Sequence, residues 1–278
     1  MPHRRGVGPF WGVLGNFEKF DHALSEAEIA RAMQAAPIPS TPPEKQSIRL
    51  ARDARGAIRF LVSEPCNYEL KTGEGKLLRF EGKSLPEPLE LAGPWEVQFP
   101  PHLGAPERVS FPNLISWSEH ENSGVKYFSG VATYHKRFDI PSSLLAKGNR
   151  LYLSLGKVAV MAQVQLNGQD LGTLWKPPFQ VEISKAAKIG NNKLEIKTVN
   201  LWVNRMIGDE QLPDDSERTE KGTLEKWPQW LEDGKPSPTG RYTFTSWRLW
   251  KKDSVLRQSG LLGPVKIVVA KEISLRNR

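Results

Sequence analysis

Apolar and polar residues alternate with a period of two along most of the chain beyond residue 86. Apolar residues recur at every second position in Leu151–Leu155, Ala162–Leu166, Leu194–Ile196 and Val265–Val269. Successive side chains of a strand point to opposite faces, so this pattern predicts strands with one buried and one solvated face. Strands of this kind are typical of antiparallel sheets that pack against each other.

Turn-forming residues separate the predicted strands. Asn167-Gly168 is the strongest signal, because both residues tolerate positive φ and fit a type I′ hairpin. Gly190-Asn191-Asn192 predicts a second turn. Short strands broken by frequent turns favour an all-β sandwich. The sequence lacks an alternation of strand and helix patterns, which argues against a Rossmann fold and a (β/α)8 barrel.

Composition changes along the chain predict its division into segments. Closely spaced prolines after residue 36 predict a linker, because proline supports neither a helix interior nor a strand ladder. The short β segments that follow are too few for an independent core, and they form the edge of a preceding sandwich or strands of the next one. The expected segments are an N-terminal piece with one helix (1–36), the linker (37–47), the β segments (48–85) and the main sandwich (86–278).

The overall composition is that of an ordinary globular protein, with 38% hydrophobic and 25% charged residues among 278. No apolar run approaches the roughly 20 residues needed to span a bilayer, so we expect no membrane partner. The single cysteine, Cys66, excludes an internal disulfide and a cysteine-based zinc site, and is expected to be a buried strand residue. The five histidines lack metal-ligand spacing, so no metal site is expected. The net charge of +8 is spread among acidic residues, which argues against a nucleic-acid partner.

A stretch from Lys126 to Asn204 resembles a known sugar-binding domain. It contains GVATYHKRFDIP, VQLNGQDLG, PPFQVEIS and GNNKLEI. These strings are similar to the galactose-binding-like jelly roll of glycoside hydrolase family 2. The matching positions are turn formers and core residues: Val164, Asn167, Gly168, Gly172, Pro178, Phe179, Gly190, Asn192 and Leu194. The resemblance therefore implies a jelly-roll β-sandwich scaffold rather than chemistry.

A narrower resemblance concerns the strings LISWSEHENSGVKYFSG, LGTLWKPPF, NLWVNRMIGDEQLP and SGLLGPVKI. They resemble, in order, the C-terminal region of bacterial α-L-rhamnosidases of glycoside hydrolase family 106. That family carries an upstream (β/α)8 barrel with a calcium-dependent active site and two catalytic glutamates. Nothing in this sequence corresponds to the barrel, so the resemblance implies an accessory module that needs no cofactor of its own, with calcium belonging to the barrel.

The N-terminal residues resemble the end of a different domain. Residues 10–35 are similar to the closing segment of a concanavalin-like (laminin-G type) jelly roll, which ends in a comparable helix. Ser25 is placed as its N-cap, and Glu28 occupies the capping-box position. This resemblance implies a remnant of a larger protein. Full-length relatives are expected to be periplasmic or extracellular, although the start of this sequence is a poor signal peptide.

Catalytic candidates are few. Glycoside hydrolysis needs two carboxyl groups at a defined separation. Only Glu119 with Glu121, and Asp209 with Glu210, fall near the family-specific strings. Neighbours on a strand point to opposite faces, so closeness in sequence does not supply this geometry. The alternative for Asp209 and Glu210 is a role in shaping a loop, through bonds to backbone N–H groups or to Arg205.

Aromatic residues are better candidates for function, because a sugar packs its C–H face on a flat ring while nearby polar groups bond its hydroxyls. An inserted loop over about 213–240 also carries Trp227 and Trp230, which are unusual for a spacer. The alternative is that the tryptophans fill the core or an interface with a barrel. The candidates for sugar binding or such an interface are Trp117, Glu119, Trp175, Trp202, Asn204, Arg205, Asp209 and Trp247.

The sequence thus favours an accessory carbohydrate-binding or structural module of an α-L-rhamnosidase-like glycoside hydrolase. Its expected partners are carbohydrates, including rhamnose-containing glycans, and a catalytic barrel. The first alternative is an active glycosidase that hydrolyses O-glycosyl bonds. A nucleic-acid-binding protein is the second, suggested only by the net charge and by basic residues around Trp247 and Trp250.

Overall fold

A computed structural model describes residues 48–52, 58–64, 67–71, 75, 77–81 and 85–273. They belong to a compact unit that starts at Ile48. The expected N-terminal helix, the proline-rich linker and Cys66 lie outside the described residues. In the described ranges, no helix is long and apolar enough to cross a membrane.

Two antiparallel sheets make up most of the fold. The strands of sheet I lie in the order β1 (Ile48–Arg52), β2 (Ile58–Val62), β16 (Lys266–Ile273), β9 (Asn149–Ser154) and β13 (Gln180–Glu182), and β5 (Leu89–Glu90) also pairs with β16. The strands of sheet II lie in the order β12 (Gln169–Leu174), β11 (Met161–Leu166), β14 (Gly190–Val199), β8 (Val131–Ile140), β6 (Trp95–Gln98) and β7 (Arg108–Phe111).

Two short strand pairs complete the β structure. They are β3 (Asn67–Lys71) with β4 (Leu77–Glu81), and β10 (Lys157–Ala159) with β15 (Gly260–Gly263). The longest pairing of sheet II joins β14 to β8, from Gly190 opposite Ile140 to Val199 opposite Val131. Strands β8 and β14 therefore form the spine of sheet II.

The hydrophobic core combines the inner faces of both sheets, which confirms the predicted all-β sandwich. The alternating apolar residues are buried as the pattern predicted, and each of Leu153, Val164, Ile196 and Ile267 has no exposed surface. Tyr152 points to the opposite face of sheet I, yet it is also buried, in a small cluster with Leu61 and Ala270. Strand β2 thus shields part of the outer face of sheet I, which the sequence pattern predicted to be exposed to solvent.

One predicted turn is confirmed and the other is corrected. Asn167 and Gly168 have φ of 52° and 84°, as a type I′ hairpin between β11 and β12 requires. Gly190 also has positive φ, but Asn191 and Asn192 belong to β14. Asn192 is buried, and its side chain bonds Lys188 N and O and Gly190 O, so it closes the preceding turn from inside the strand.

Helices in the described part of the chain are short: a 3-10 turn at Trp117–Glu119, α1 (Ser123–Lys126), α2 (Val203–Asp209) and α3 (Gln229–Glu232). The sequence interpretation treated the surroundings of Asp209 and Glu210 as a loop, and this was wrong for Asp209, because Val203–Asp209 is helical. Its N-cap is Trp202, which makes no side-chain cap bond, so the usual start signal is absent. Between α2 and β15 runs a long connection, residues 210–259, with α3 as its only described helix or named strand.

Trp117 lies at the centre of an aromatic cluster in the core. Its ring stacks on Tyr134 with centroids 6.4 Å apart and planes at 12°, and its Nε1 donates to Tyr134 Oη at 2.6 Å. Phe99 and Phe128 meet the Trp117 ring edge-on at 5.6 and 5.5 Å. Gly260 packs so closely that a Cβ there would lie 2.5 Å from Trp117 Nε1. Only glycine fits this position, which also has a φ of +88°.

The buried Tyr134 phenol is expected to make the free energy of unfolding fall at alkaline pH. Burial raises the pKa of Tyr134, and hydrogen bonds from Leu261 N and Trp117 Nε1 offset only part of this shift. The unfolded phenol has a pKa of about 10, so Tyr134 contributes its full stability below that pH and loses it as pH rises further. We expect the free energy of unfolding to fall by up to about 1.4 kcal/mol per pH unit above about pH 10.

Urea unfolding between about pH 8 and about pH 11 checks this expectation. Tyr134→Phe should be less stable at neutral pH, because Trp117 Nε1 and Leu261 N lose their acceptor. It should also lack the part of the alkaline decline that Tyr134 causes. An equally steep decline in both proteins would show that other groups control it.

Candidate functional site

Helix α2 is anchored by buried polar side chains rather than by capping. The Asn204 side chain accepts from Arg257 N and donates to Arg257 O, both at 2.7 Å. Ser129 Oγ donates to Leu201 O and accepts from Arg205 N. Asn204 thus fixes the far end of the 210–259 connection to the start of the helix.

Asp209, at the other end of α2, fixes the middle of the same connection. Its Oδ2 accepts hydrogen bonds from Tyr242 N at 2.9 Å, Thr243 N at 2.7 Å and Thr243 Oγ1 at 2.7 Å. Only 2% of the residue is exposed, and Oδ1 has no hydrogen-bond partner among the described residues. Asp209 shapes the backbone of the connection, the structural role that the sequence offered as the alternative to catalysis.

Arg205 braces a third segment. Its Nη2 donates to Leu103 O at 3.1 Å, and its guanidinium lies 4.6 Å from the centroid of the Tyr242 ring. Burial lowers the pKa of Arg205, while the charge of Asp209 acts in the opposite direction. The α2 residues that the sequence indicated, Asn204, Arg205 and Asp209, therefore fix neighbouring segments of the chain to the helix.

Two arginines and two carboxylates form a network above α2. Arg241 donates to Glu210 at 2.9 Å and to Asp214 at 3.2 Å. Arg248 contacts the same two carboxylates. Arg241 is well buried, with 5% of its side chain exposed, whereas Asp214 is at the surface. Glu210 thus contacts two guanidinium groups and has a structural role in this network.

Arg248 retains an unused donor, since its Nη2 is buried without a hydrogen-bond partner among the described residues. Among the described residues, Arg218 of the inserted loop donates to neutral acceptors only: Ser216 Oγ, Gly222 O and Thr245 O. Burial is the main cause that lowers the pKa of Arg218, and the positive charge of Arg248 adds to it. The two guanidinium groups are therefore close enough to repel each other.

Aromatic rings complete the site. Phe244 packs against Trp227 and Trp230 of the inserted loop at 5.7 and 5.8 Å, and the Arg218 guanidinium lies 5.6 Å from the Phe244 ring centroid. Trp247 is 56% exposed, and its Nε1 donates to Lys221 O, which fixes the ring. The two tryptophans of the inserted loop thus pack against Phe244, another residue of the 210–259 connection, and are not part of a simple spacer.

These groups surround a cavity of about 230 Å³, here called the arginine pocket. Three guanidinium groups, three aromatic rings, two carboxylates and two hydroxyls meet there. The lining residues are Met206, Glu210, Asp215, Arg218, Arg241, Thr243, Phe244, Thr245, Trp247, Arg248, Leu249 and Trp250. A rigid ring beside hydrogen-bonding groups is the arrangement that suits a sugar.

The predicted sites for sugar binding or a barrel interface separate into four groups. Asn204, Arg205 and Asp209 are buried around α2, and Trp247 opens onto the arginine pocket. Trp117 is a core residue, because none of its surface is exposed, so it cannot contact a ligand at the surface. The exposed candidates outside the lining of the pocket are Glu119, Trp175 after β12, and Trp202 before α2.

The sequence interpretation missed Arg218 and Arg241, and it weighed Arg248 only as part of a basic run. The local signal was weak: Arg241 precedes Tyr242 and Arg248 follows Trp247, but Lys226 precedes Trp227 in the same way. Arginine suits planar, bidentate bonding to oxyanions. The pairing of Arg218 with Arg248 across about thirty residues has no local signature.

A second concave surface lies on the outer face of sheet II. It measures about 870 Å³ and is lined by charged and polar residues, among them Arg108, His135, Arg137 and Lys193. Trp95 borders it but is 99% buried, since only 1% of its surface is exposed. This surface therefore lacks an accessible aromatic platform. In the described part of the chain, no cluster of three or more His, Cys, Asp or Glu residues is arranged to hold a metal ion.

The fold and the arginine pocket describe a β-sandwich with a ring-lined polar cavity, and comparison with known proteins shows which class of protein it resembles. No family model matches the chain. A Formosa agariphila protein named "Putative beta-glucuronidase" is 48% identical over 221 residues, which are 79% of this chain and 19% of that protein. A rhamnosidase structure from Novosphingobium sp. PP1Y is 25% identical with a TM-score of 0.53, covering 88% of this chain and 26% of the enzyme.

The chain is thus related to a part of glycoside hydrolases. It spans about a fifth of the curated relative and about a quarter of the rhamnosidase.

Proposed function

We propose that these 278 residues act as an accessory carbohydrate-binding module of an α-L-rhamnosidase-like glycoside hydrolase, with the catalytic groups on another domain. The observation that carries this proposal is the extent of the similarity, which covers only 19% and 26% of the two glycoside hydrolases. The family 106 resemblance of the sequence strings agrees with the rhamnosidase as a structural neighbour.

The geometry of the carboxylates supports a non-catalytic role. Asp209 is committed to the Tyr242–Thr243 backbone, and Glu210 is bonded to Arg241 and Arg248. Glu119 lies exposed on a 3-10 turn. The arginine pocket instead offers the exposed Trp247 ring with polar groups around it, which suits the binding of a sugar.

The alternative is a purely structural module that packs against a catalytic barrel. The exposed apolar residues near α2 favour it, since Leu201, Trp202 and Leu249 are each more than half exposed. Under this alternative, the surface formed by these three residues would be covered by the catalytic barrel rather than by carbohydrate.

We predict that the purified chain binds rhamnose-containing or glucuronic acid-containing oligosaccharides and hydrolyses neither an aryl α-L-rhamnoside nor an aryl β-D-glucuronide. Trp247→Ala should weaken binding about three- to tenfold, because it removes the exposed ring. A glycan array followed by calorimetric titration measures the binding. Binding to no glycan would leave the structural alternative, and turnover that disappears in Glu210→Gln would establish a glycosidase instead.

A further inference from the structure

The charges that line the arginine pocket do not cancel. Arg218, Arg241 and Arg248 face only Glu210 and Asp215 among the lining residues, so one positive charge is in excess. Asp214 also bonds Arg241 and Arg248, but it is not a lining residue and 70% of its side chain is exposed. Asp214 offsets part of the charge of those two arginines, but in the described part of the chain it forms no ion pair with Arg218.

Arg218 is the cation with the most free charge. Its three hydrogen bonds go to neutral oxygens of the connection, and no carboxylate in the described residues forms an ion pair with it. Burial is the main cause that lowers the pKa of Arg218 and repulsion from Arg248 adds to it, while the charges of Asp215 and Glu210 act in the opposite direction. An anion placed between these two groups would relieve that repulsion and gain charge-assisted hydrogen bonds.

Arg248 has the matching donor. Its Nη2 is buried and bonds nothing in the described part of the chain, whereas its Nε and Nη1 contact Glu210 and Asp214. A buried N–H without an acceptor is costly, and a ligand oxygen would remove that cost after a small shift of the side chain. The Trp247 ring lies beside the arginines and can stack on the sugar that carries the charge.

We propose that the arginine pocket is a subsite for an acidic sugar residue, whose carboxylate or sulfate oxyanion is held by Arg218 and Arg248 against the Trp247 ring. This inference rests on the proposed carbohydrate-binding function and names its substrate class. The hydroxyl of Thr245 at the pocket wall is available to the rest of the ring, whereas the Thr243 hydroxyl already donates to Asp209 Oδ2.

The test titrates the full chain with D-glucuronate, D-glucose 6-sulfate and D-glucose. At least one acidic sugar should bind about tenfold or more tightly than glucose, and its affinity should fall as sodium chloride is added. The carboxylate is the natural anion if only glucuronate gains, and the sulfate ester if only glucose 6-sulfate does. Arg218→Gln should reduce the binding of the acidic sugar to the level of glucose.

Arg137→Gln is the matched control, because it removes the same charge from an exposed position on the outer face of sheet II. It should leave acidic-sugar binding unchanged. Since Arg218 also holds Gly222 and Thr245 in place, Arg218→Lys serves as a second variant that keeps the charge and loses the planar fork. It should retain part of the preference for the acidic sugar and of its salt dependence.

Two results would overturn the inference. One is equal affinity for acidic and neutral sugars, which leaves the proposed carbohydrate-binding function standing. The other is loss of acidic-sugar binding in Arg137→Gln but not in Arg218→Gln, which would move the anion site to sheet II. Binding of no sugar in the titrations or on the glycan array would reject the subsite together with the carbohydrate-binding function.

Discussion

Replacing Trp117 with alanine is expected to lower the free energy of unfolding by about 3–5 kcal/mol. The indole is fully buried, and its removal would leave a large cavity among Phe99, Phe128 and Tyr134. The Tyr134 hydroxyl would also lose a donor at 2.6 Å. Urea unfolding followed by far-UV circular dichroism measures the difference in unfolding free energy. The dependence of that free energy on urea concentration is fitted separately for each protein and is shared only where the two fitted values agree.

Trp175→Ala is the control for this prediction. The Trp175 ring is 68% exposed, and the Lys176 ammonium lies 5.2 Å from its centroid in a cation–π contact. We expect its removal to change stability by no more than about 0.5 kcal/mol. Similar losses for the two tryptophans would contradict the assignment of Trp117 to the core.

Asp209→Ala is expected to cost about 2–3 kcal/mol and to loosen the 210–259 connection. The substitution removes the acceptor of Tyr242 N, Thr243 N and Thr243 Oγ1 at once. Hydrogen bonds to an ionised acceptor are the stronger ones, so the loss exceeds that of a neutral bond. Chemical unfolding measures the cost, and limited proteolysis should show earlier cleavage within residues 210–259.

Two variants bracket the Asp209 result. Asp209→Asn keeps the size and one acceptor oxygen, so it should lose less stability than alanine does. Asp253→Ala removes an exposed carboxylate from the same connection and should stay within about 0.5 kcal/mol of the wild type. If alanine at position 209 left proteolysis unchanged, the clamp on Tyr242 and Thr243 would not be what orders the connection.

The strands were predictable because their burial follows a local rule. Leu153, Val164 and Ile267 each sit in a period-two pattern that is visible within five residues of sequence. Asn167-Gly168 was equally local, since the pair carries the positive φ that its turn needs. Helix α2 was missed because Trp202 offers no side-chain cap and the helix has only seven residues.

The site was less predictable because its contacts join distant residues. Trp117 is a core residue through its contacts with Tyr134 and Gly260, and neither contact leaves a mark near Trp117 in the sequence. The meeting of Arg218 with Arg248 depends on how the inserted loop folds over Phe244. Residue type indicated Trp247 and Asp209, but only the three-dimensional contacts separate a surface ring from a buried clamp.

The two anchors on α2 have a consequence for how this module can diverge. Asn204 accepts a hydrogen bond from Arg257 N, and Asp209 accepts one from Thr243 N. The segment 210–241 therefore begins and ends beside one short helix, α2. The entropic cost of closing such a segment grows only slowly with its length. Substitutions, deletions or insertions over about 213–240 can therefore change the part of the pocket lined by Asp215 and Arg218, while the strands of the two sheets keep their pairing. The lining of the pocket and the stability of the scaffold can therefore evolve separately in this protein.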